Sequence, residues 1–225
     1  MFKVFGFIAR RPDLTAEEFH AHYRHPHGTL ARDMPTLLSY TQSHQIDCDI
    51  LDEKQRRFEA IMEVRLADKK DWFGFRTNPY LVEHLVPDEP LFIDLKNSAG
   101  VATSEEVLPG PAKENLSTAD ALWSPDKAAL PAKLVQLVPA DKRDSWMMEN
   151  DATLGHQIGA LHHVRCVAIE GLQPADAEFC GVRELYWPTI AALREGVTRE
   201  PEAWRQLIDQ TSPAAMMLVQ CEKFF

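Results

Sequence analysis

Within the first 108 residues, apolar runs and turn signals follow one order: strand, helix, strand, strand, helix, strand. "KVFGFI", from Lys3 to Ile8, is rich in Val, Phe and Ile and gives way to the turn sequence "RRPD". Thr15 followed by Glu18 is the capping-box spacing, in which side chain and backbone satisfy each other's orphan amides, so a helix starts near Ala16. It is expected to reach about Met34 with a kink at Pro26. "LLSYTQSHQI" and "RFEAIMEVRL" read as two strands separated by a charge-rich connection. The second alternates Phe58, Ala60, Met62 and Val64 with Glu59, Ile61, Glu63 and Arg65. "DKKDWFGFRTNPYLVEHL" reads as a helical region broken near Pro79, after which "PLFIDLKNSAGVATSEEVL" leads to a fourth strand. This is the order of the ferredoxin-like unit, an α+β arrangement with helices on one face of an antiparallel sheet and the other face in need of cover.

The rest of the chain offers that cover. The stretch 109–131, "PGPAKENLSTADALWSPDKAALP", is polar and proline-rich, a linker in which Leu122 and Trp123 are candidates for packing. Beyond it "KLVQLV" at Lys133 keeps the phase of "KVFGFI" at Lys3. When "ATLGHQIGALHHVRC" from Ala152 is set under "GTLARDMPTLLSYTQ" from Gly28, Met34 meets Ile158, Leu37 meets Leu161 and Tyr40 meets Val164. "CGVRELYW", "PEAWRQLIDQ" and "AAMMLVQCEKFF" supply a strand, a helix and a strand. The expected organisation is therefore a domain at 1–108, a linker at 109–131 and a diverged second copy at 132–225.

Composition excludes several classes. The net charge of -10 with no basic run argues against nucleic acid and anionic membranes and favours small, weakly charged ligands. Cys48, Cys166, Cys180 and Cys221 form no C-x-x-C pair, which suits reduced, buried thiols in the cytoplasm. The apolar amino end is interrupted by Lys3 and stops at Arg10 and Arg11, a strand rather than a signal, and no apolar run has the ~18 residues of a membrane helix. No nucleophile elbow, phosphate loop or dinucleotide fingerprint is present.

What distinguishes the two halves is "HAHYRHPHG", which holds His20, His22, His25 and His27. At about 100° per residue, Phe19, Tyr23, Leu30 and Met34 form one stripe with His27 close to its centre. His20 falls at the stripe's edge, His22 to the side and His25 toward solvent, so the cluster disperses and a metal site is not expected. His22 and His25 read as solvated. His27 is the candidate for proton transfer, the alternative being a satisfied core histidine. Tyr40, Gln42 and His44 alternate onto one face, either a polar pocket wall or an edge strand in water. Glu59, Glu63 and Arg65 are either catalytic or a solvated ladder, and Trp72 and Asp94 either line a pocket or serve local packing and capping. In the second half Asp151 stands opposite His27, while His156, His162 and His163 leave a second site open.

The stretch from Lys3 to His44 resembles the opening of the EthD family. The matching features are the basic-Pro turn, Thr-x-x-Glu-Phe, Tyr23-Arg, His27-Gly, Leu30-Ala, Pro35 and Tyr40-x-Gln-x-His44; "DWFGF" and "PDEPLFID" extend the resemblance to about residue 100. The resemblance implies the dimeric α+β barrel, here closed within one chain by two ferredoxin-like copies, with ligand pockets between sheet and helices. It also implies that His27 is the characteristic helix histidine, with Tyr40 and His44 the second-strand motif. The expected function is a cofactor-independent enzyme of the cyclase, isomerase, decarboxylase, dehydratase or monooxygenase type, acting on a small apolar aromatic or polyketide-like compound. In it His27 is the acid/base, Tyr40 and His44 orient an oxygen, and Tyr23, Glu63 and Trp72 contact the substrate. The alternatives are a haem-binding oxidoreductase with His27 on the iron and a non-catalytic binding protein. A homodimer is expected if a strand edge stays open at the barrel rim.

Overall fold

The computed structural model describes residues 1–51, 57–128, 130–174 and 176–225. Eight strands are formed: β1 (Phe2–Ile8), β2 (Ser39–Gln45), β3 (Ala60–Leu66), β4 (Ala99–Val107), β5 (Ala132–Pro139), β6 (His162–Ala168), β7 (Phe179–Trp187) and β8 (Ala215–Lys223). They close into one antiparallel barrel in the order β1-β3-β2-β8-β5-β7-β6-β4. Each half contributes four adjacent strands in the same internal order, β4-β1-β3-β2 and β8-β5-β7-β6. Two seams join them, one pairing β2 with β8 from Thr41 and Lys223 to Gln45 and Val219, the other pairing β4 with β6. Among the described strands no edge is left free, so the open rim that favoured a homodimer is not there. The charge-rich connection between β2 and β3 falls largely on residues 52–56, outside the described residues.

Strand alternation sorts side chains onto two buried faces. Phe5, Phe7, Ile61, Val135, Val182 and Met217 point inward and fill the barrel. The outward face of the carboxyl-terminal strands, with Leu134, Leu185, Trp187 and Leu218, is covered by α5 (Asp151–Gln157), α6 (Ile190–Arg199) and α7 (Pro201–Thr211). Of these α6 was not expected; its apolar positions Leu193 and Val197 complete the cover over Trp187. The amino-terminal strands carry α1 (Ala16–His22), α2 (Gly28–Arg32) and α3 (Lys69–Phe75). Thr15 and Glu18 form the capping box that starts α1, and Asp68 with Asp71 starts α3 the same way. The stretch 109–131 holds α4 (Thr118–Leu122); Trp123 packs on the barrel core, whereas Leu122 is exposed. No helix among the described residues is long and apolar enough to cross a membrane.

The barrel interior also buries charge. Lys3 Nζ lies 2.8 Å from Glu63 and 2.8 Å from Glu184, and Lys133 Nζ reaches Glu184 at 3.1 Å and also contacts Glu63. The Tyr186 hydroxyl donates to Glu184 at 3.1 Å, and the Ser43 hydroxyl donates to Glu63. Burial alone would raise the Glu63 carboxyl, but the ammonium groups of Lys133 and Lys3 outweigh it and hold the carboxyl far below the usual range. Against burial, Glu184 and Glu63 hold Lys3 above its usual range, and Cys221, Glu63 and Glu184 do the same for Lys133. Glu63 is therefore part of a closed ring of four charges, not a member of a solvated ladder.

Candidate active site

The helix begun at Thr15 does not run evenly to Met34. It widens over Tyr23–His27, where His25 leaves helical geometry (φ -152, ψ 124), and resumes at Gly28. A side chain at Gly28 would meet Phe224 at 2.6 Å and Gln42 at 2.9 Å, so glycine lets the start of α2 press against β2 and the chain end. His27 points inward and is 6% exposed.

There the His27 ring meets Asp88, at the start of the short turn Glu89–Leu91. His27 Nδ1 donates to Asp88 Oδ2 at 2.9 Å, and His22 Nε2 donates to Asp88 Oδ1 at 2.9 Å. Burial would raise the Asp88 carboxyl, but these two imidazoles lower it overall, so it is a carboxylate that accepts both bonds. An anionic acceptor at Nδ1 fixes the proton there and leaves Nε2 with its lone pair, the tautomer a general base needs. Among the described residues no partner takes that nitrogen. Phe92 supports the pair, its ring 4.9 Å from that of His27 and 4.7 Å from that of His22.

His27 lines a cavity of about 220 Å³ between the helix-facing side of the amino-terminal strands and the second helical region. Val4, Ile8, Met62, Trp72, Phe75 and Ile93 make its apolar wall. Arg76 and Glu89, 3.6 Å apart, stand at its exposed rim. A polar proton-transfer group beside a largely apolar wall suits removal of a proton from a weakly acidic organic molecule.

Residues 11–96 match the family model of the EthD domain. This segment is an EthD domain. Over the whole chain the fold is similar to that of an anthrone oxidase-like protein, with a TM-score of 0.66, 12% identity, and 99% of this chain and 93% of that chain covered. A chlorite dismutase from Candidatus Nitrospira defluvii aligns with a TM-score of 0.49 and 8% identity over 99% of this chain and 91% of that one. These likenesses concern the fold. No curated protein matches.

The EthD domain brings together only part of the expected site. His27 and Trp72 share the cavity, and Tyr23 packs against His27 with ring centroids 5.8 Å apart. Tyr40, Gln42 and His44 do share a face, but it meets the helices, while Thr41 and Ser43 turn into the barrel. Neither Tyr40 nor His44 lines the cavity. Gln42 Nε2 donates to the Tyr40 hydroxyl at 2.7 Å and to the Tyr23 carbonyl at 2.5 Å, a brace beneath the widened turn. The Tyr23 ring stands between His27 and His44, its centroid 5.3 Å from that of His44. His44 Nδ1 meets His20 Nδ1 at 2.9 Å, and His20 Nε2 lies 3.2 Å from Glu59. Burial, helped by Arg24 and His20, pushes His44 down to about 3, so it is neutral.

Two expectations are corrected. His22 is not solvated but bound to Asp88, whose loop covers that side of α1. Glu63 is remote from the cavity, since its strand parity sends it into the barrel. Asp94 serves as a local cap, bonded to Asn97. The functional residue missed in the sequence is Asp88, whose only signal was its place in "PDEPLFID". Among the described residues, the potential metal ligands that converge are Glu105, Cys166 and Glu184, in the barrel, and they include no histidine.

Proposed function

We propose that the EthD domain is a cofactor-independent acid/base enzyme of the oxygenase type, acting on a small apolar aromatic compound, with His27 Nε2 as base. The observation that carries this reading is the Asp88 carboxylate on His27 Nδ1, with the ring lining an apolar cavity. In the first step a proton passes from an activated C–H of the substrate to Nε2, leaving the electron pair on carbon and an imidazolium paired to Asp88. That carbanion adds to molecular oxygen to give a peroxide anion, the imidazolium returns its proton to make the hydroperoxide, and loss of the remaining C–H proton with cleavage of the O–O bond releases water and leaves a ketone. One oxygen atom leaves in each product. Cyclisation and isomerisation begin with the same proton transfer and differ in where the carbanion next reacts. The fold shared with an anthrone oxidase-like protein supports the reading by analogy. We infer further that residues 132–225 are a diverged copy of 1–108 that serves as the barrel's other half, the shared strand order being the support.

Haem ligation by His27 would suit an imidazole backed by a carboxylate. Room speaks against it, because about 220 Å³ is below the roughly 300 Å³ at which drug-sized ligands begin to fit, and a porphyrin is larger still.

The test uses 2-tetralone, a bicyclic ketone with an acidic methylene, and follows deuterium entry from D2O by NMR alongside oxygen uptake. His27→Ala is expected to lower exchange by ~10²-fold or more. Asp88→Asn, which offers Nδ1 an amide donor and so favours the wrong tautomer, should lower it by about 10- to 100-fold. A folded His27→Ala protein exchanging at the wild-type rate would refute the assignment, and binding without exchange would make the protein a carrier.

A further inference from the structure

Resting on the reading above, we propose that the paired glycines Gly6 and Gly100 select the substrate, restricting the cavity to flat, unsaturated rings of one or two cycles. Gly6 on β1 and Gly100 on β4 are direct partners across the antiparallel pair, and both line the cavity that holds His27. Strand alternation puts both on the helix-facing side, so two adjacent strands there present bare backbone. Trp72 and Phe75, half-buried rings with planes 22° apart and centroids 6.4 Å apart, line the same cavity. A cavity lined by bare backbone on two adjacent strands and by two aromatic rings favours a planar ring, which can lie against backbone that carries no side chain and gains stacking that a puckered ring cannot.

The second half shows what the same place looks like when filled. Lys133 occupies in β5 the position of Lys3 in β1, so Gln136 stands where Gly6 does. Gly6 faces Met62 on one side and Gly100 on the other; Gln136 faces Arg183 and Met216 in the same way. Arg183 Nη2 donates to Asp151 at 2.9 Å, Arg183 Nη1 to Gln136 at 3.4 Å, and Gln136 Nε2 approaches the Met216 sulfur at 3.6 Å. Asp151 is the residue opposite His27. Where the EthD domain has two glycines, a methionine and a histidine around a cavity, the other half has Gln136, Met216, Arg183 and Asp151 packed without one, all fully buried.

Steric room makes Gly100 the residue to change. A Cβ there would meet only the Phe5 carbonyl oxygen at 3.6 Å, an ordinary contact, so a larger residue enters the cavity without disturbing the backbone. At Gly6 the same atom would meet the Met62 methyl at 3.1 Å. Valine also favours a strand more than glycine does, so Gly100→Val should fold at least as well as the parent.

Binding of naphth-1-ol and of decahydronaphth-1-ol, its saturated counterpart with the same carbon count and hydroxyl, separates shape from polarity. Calorimetry on the full chain should show naphth-1-ol bound at least 10-fold more tightly than the saturated alcohol, and Gly100→Val weakening naphth-1-ol by 10-fold or more with an unchanged or higher melting temperature. Equal affinity for the two alcohols, unaltered naphth-1-ol binding in Gly100→Val, or no naphth-1-ol binding by the parent would each overturn the assignment. Binding that follows this pattern without 2-tetralone exchange would leave the assignment of Gly6 and Gly100 standing and remove the catalytic reading. Exchange that persists unaltered in Gly100→Val, with no preference between the alcohols, would do the reverse.

Discussion

Glu184→Leu is expected to destabilise the protein by about 3–5 kcal/mol at pH 7, since it leaves Lys3 and Lys133 sharing one carboxylate inside the barrel. Both ammonium groups are buried, so the remaining Glu63 carboxylate has to serve two cations. The size of the effect comes from the unpaired charge rather than from the worth of the ion pair. The double variant Lys3→Met/Glu184→Leu removes one charge of each sign and should cost well under the sum of the single changes. Urea unfolding of the three variants measures both quantities. A loss below about 1 kcal/mol for Glu184→Leu would mean that water reaches the ring of charges in solution.

Stability should also fall steeply on mild acidification, by roughly 4 kcal/mol between pH 7.5 and pH 5. Burial pushes His163 down to about 2, reinforced by Arg183 and Arg165, and His44 down to about 3. An unfolded histidine titrates near 6.5, so as the pH drops the unfolded chain takes up these protons while the folded one does not. Each histidine then favours unfolding by about 2 kcal/mol at pH 5, a large share of the 5–15 kcal/mol that stabilises an ordinary domain. Glu63 and Glu184, held low in the fold, extend the loss below about pH 4. Neither ring nitrogen of His163 has a hydrogen-bond partner, so His163→Leu should raise stability at neutral pH by about 1 kcal/mol and halve the acid loss. Chemical unfolding at a series of pH values checks this, and a flat profile from pH 7.5 to 5 would refute it.

The amino-terminal half was legible because its signals are local. The Thr15 to Glu18 box, the turn at "RRPD" and the alternation in β3 each depend on neighbours a few residues apart. Strand parity was harder. A closed barrel buries both faces, so the alternation of Tyr40, Gln42 and His44 is visible while the side they meet is not. The partner of His27 was harder still, because Asp88 is 61 residues away and reaches it through a turn with no periodicity. The charged ring joins Lys3 to Glu184 across 181 residues, and either reads alone as an ordinary surface charge. His22 was misplaced because the loop that covers its side of α1 comes from Asp88, 66 residues further along the chain.

The seam between β2 and β8 also bears on how the chain is made. Thr41 waits for Lys223, and β8 is the strand that joins the halves on that side, between β2 and β5. On the ribosome the barrel therefore stays open until β8 has emerged, with β2 and β5 as two unpaired edges. Such late, long-range pairing is slow to form and exposed to aggregation while it waits. A chain cut before β8 would hold a seven-stranded open sheet with β2 and β5 as its edges rather than a slightly shorter barrel.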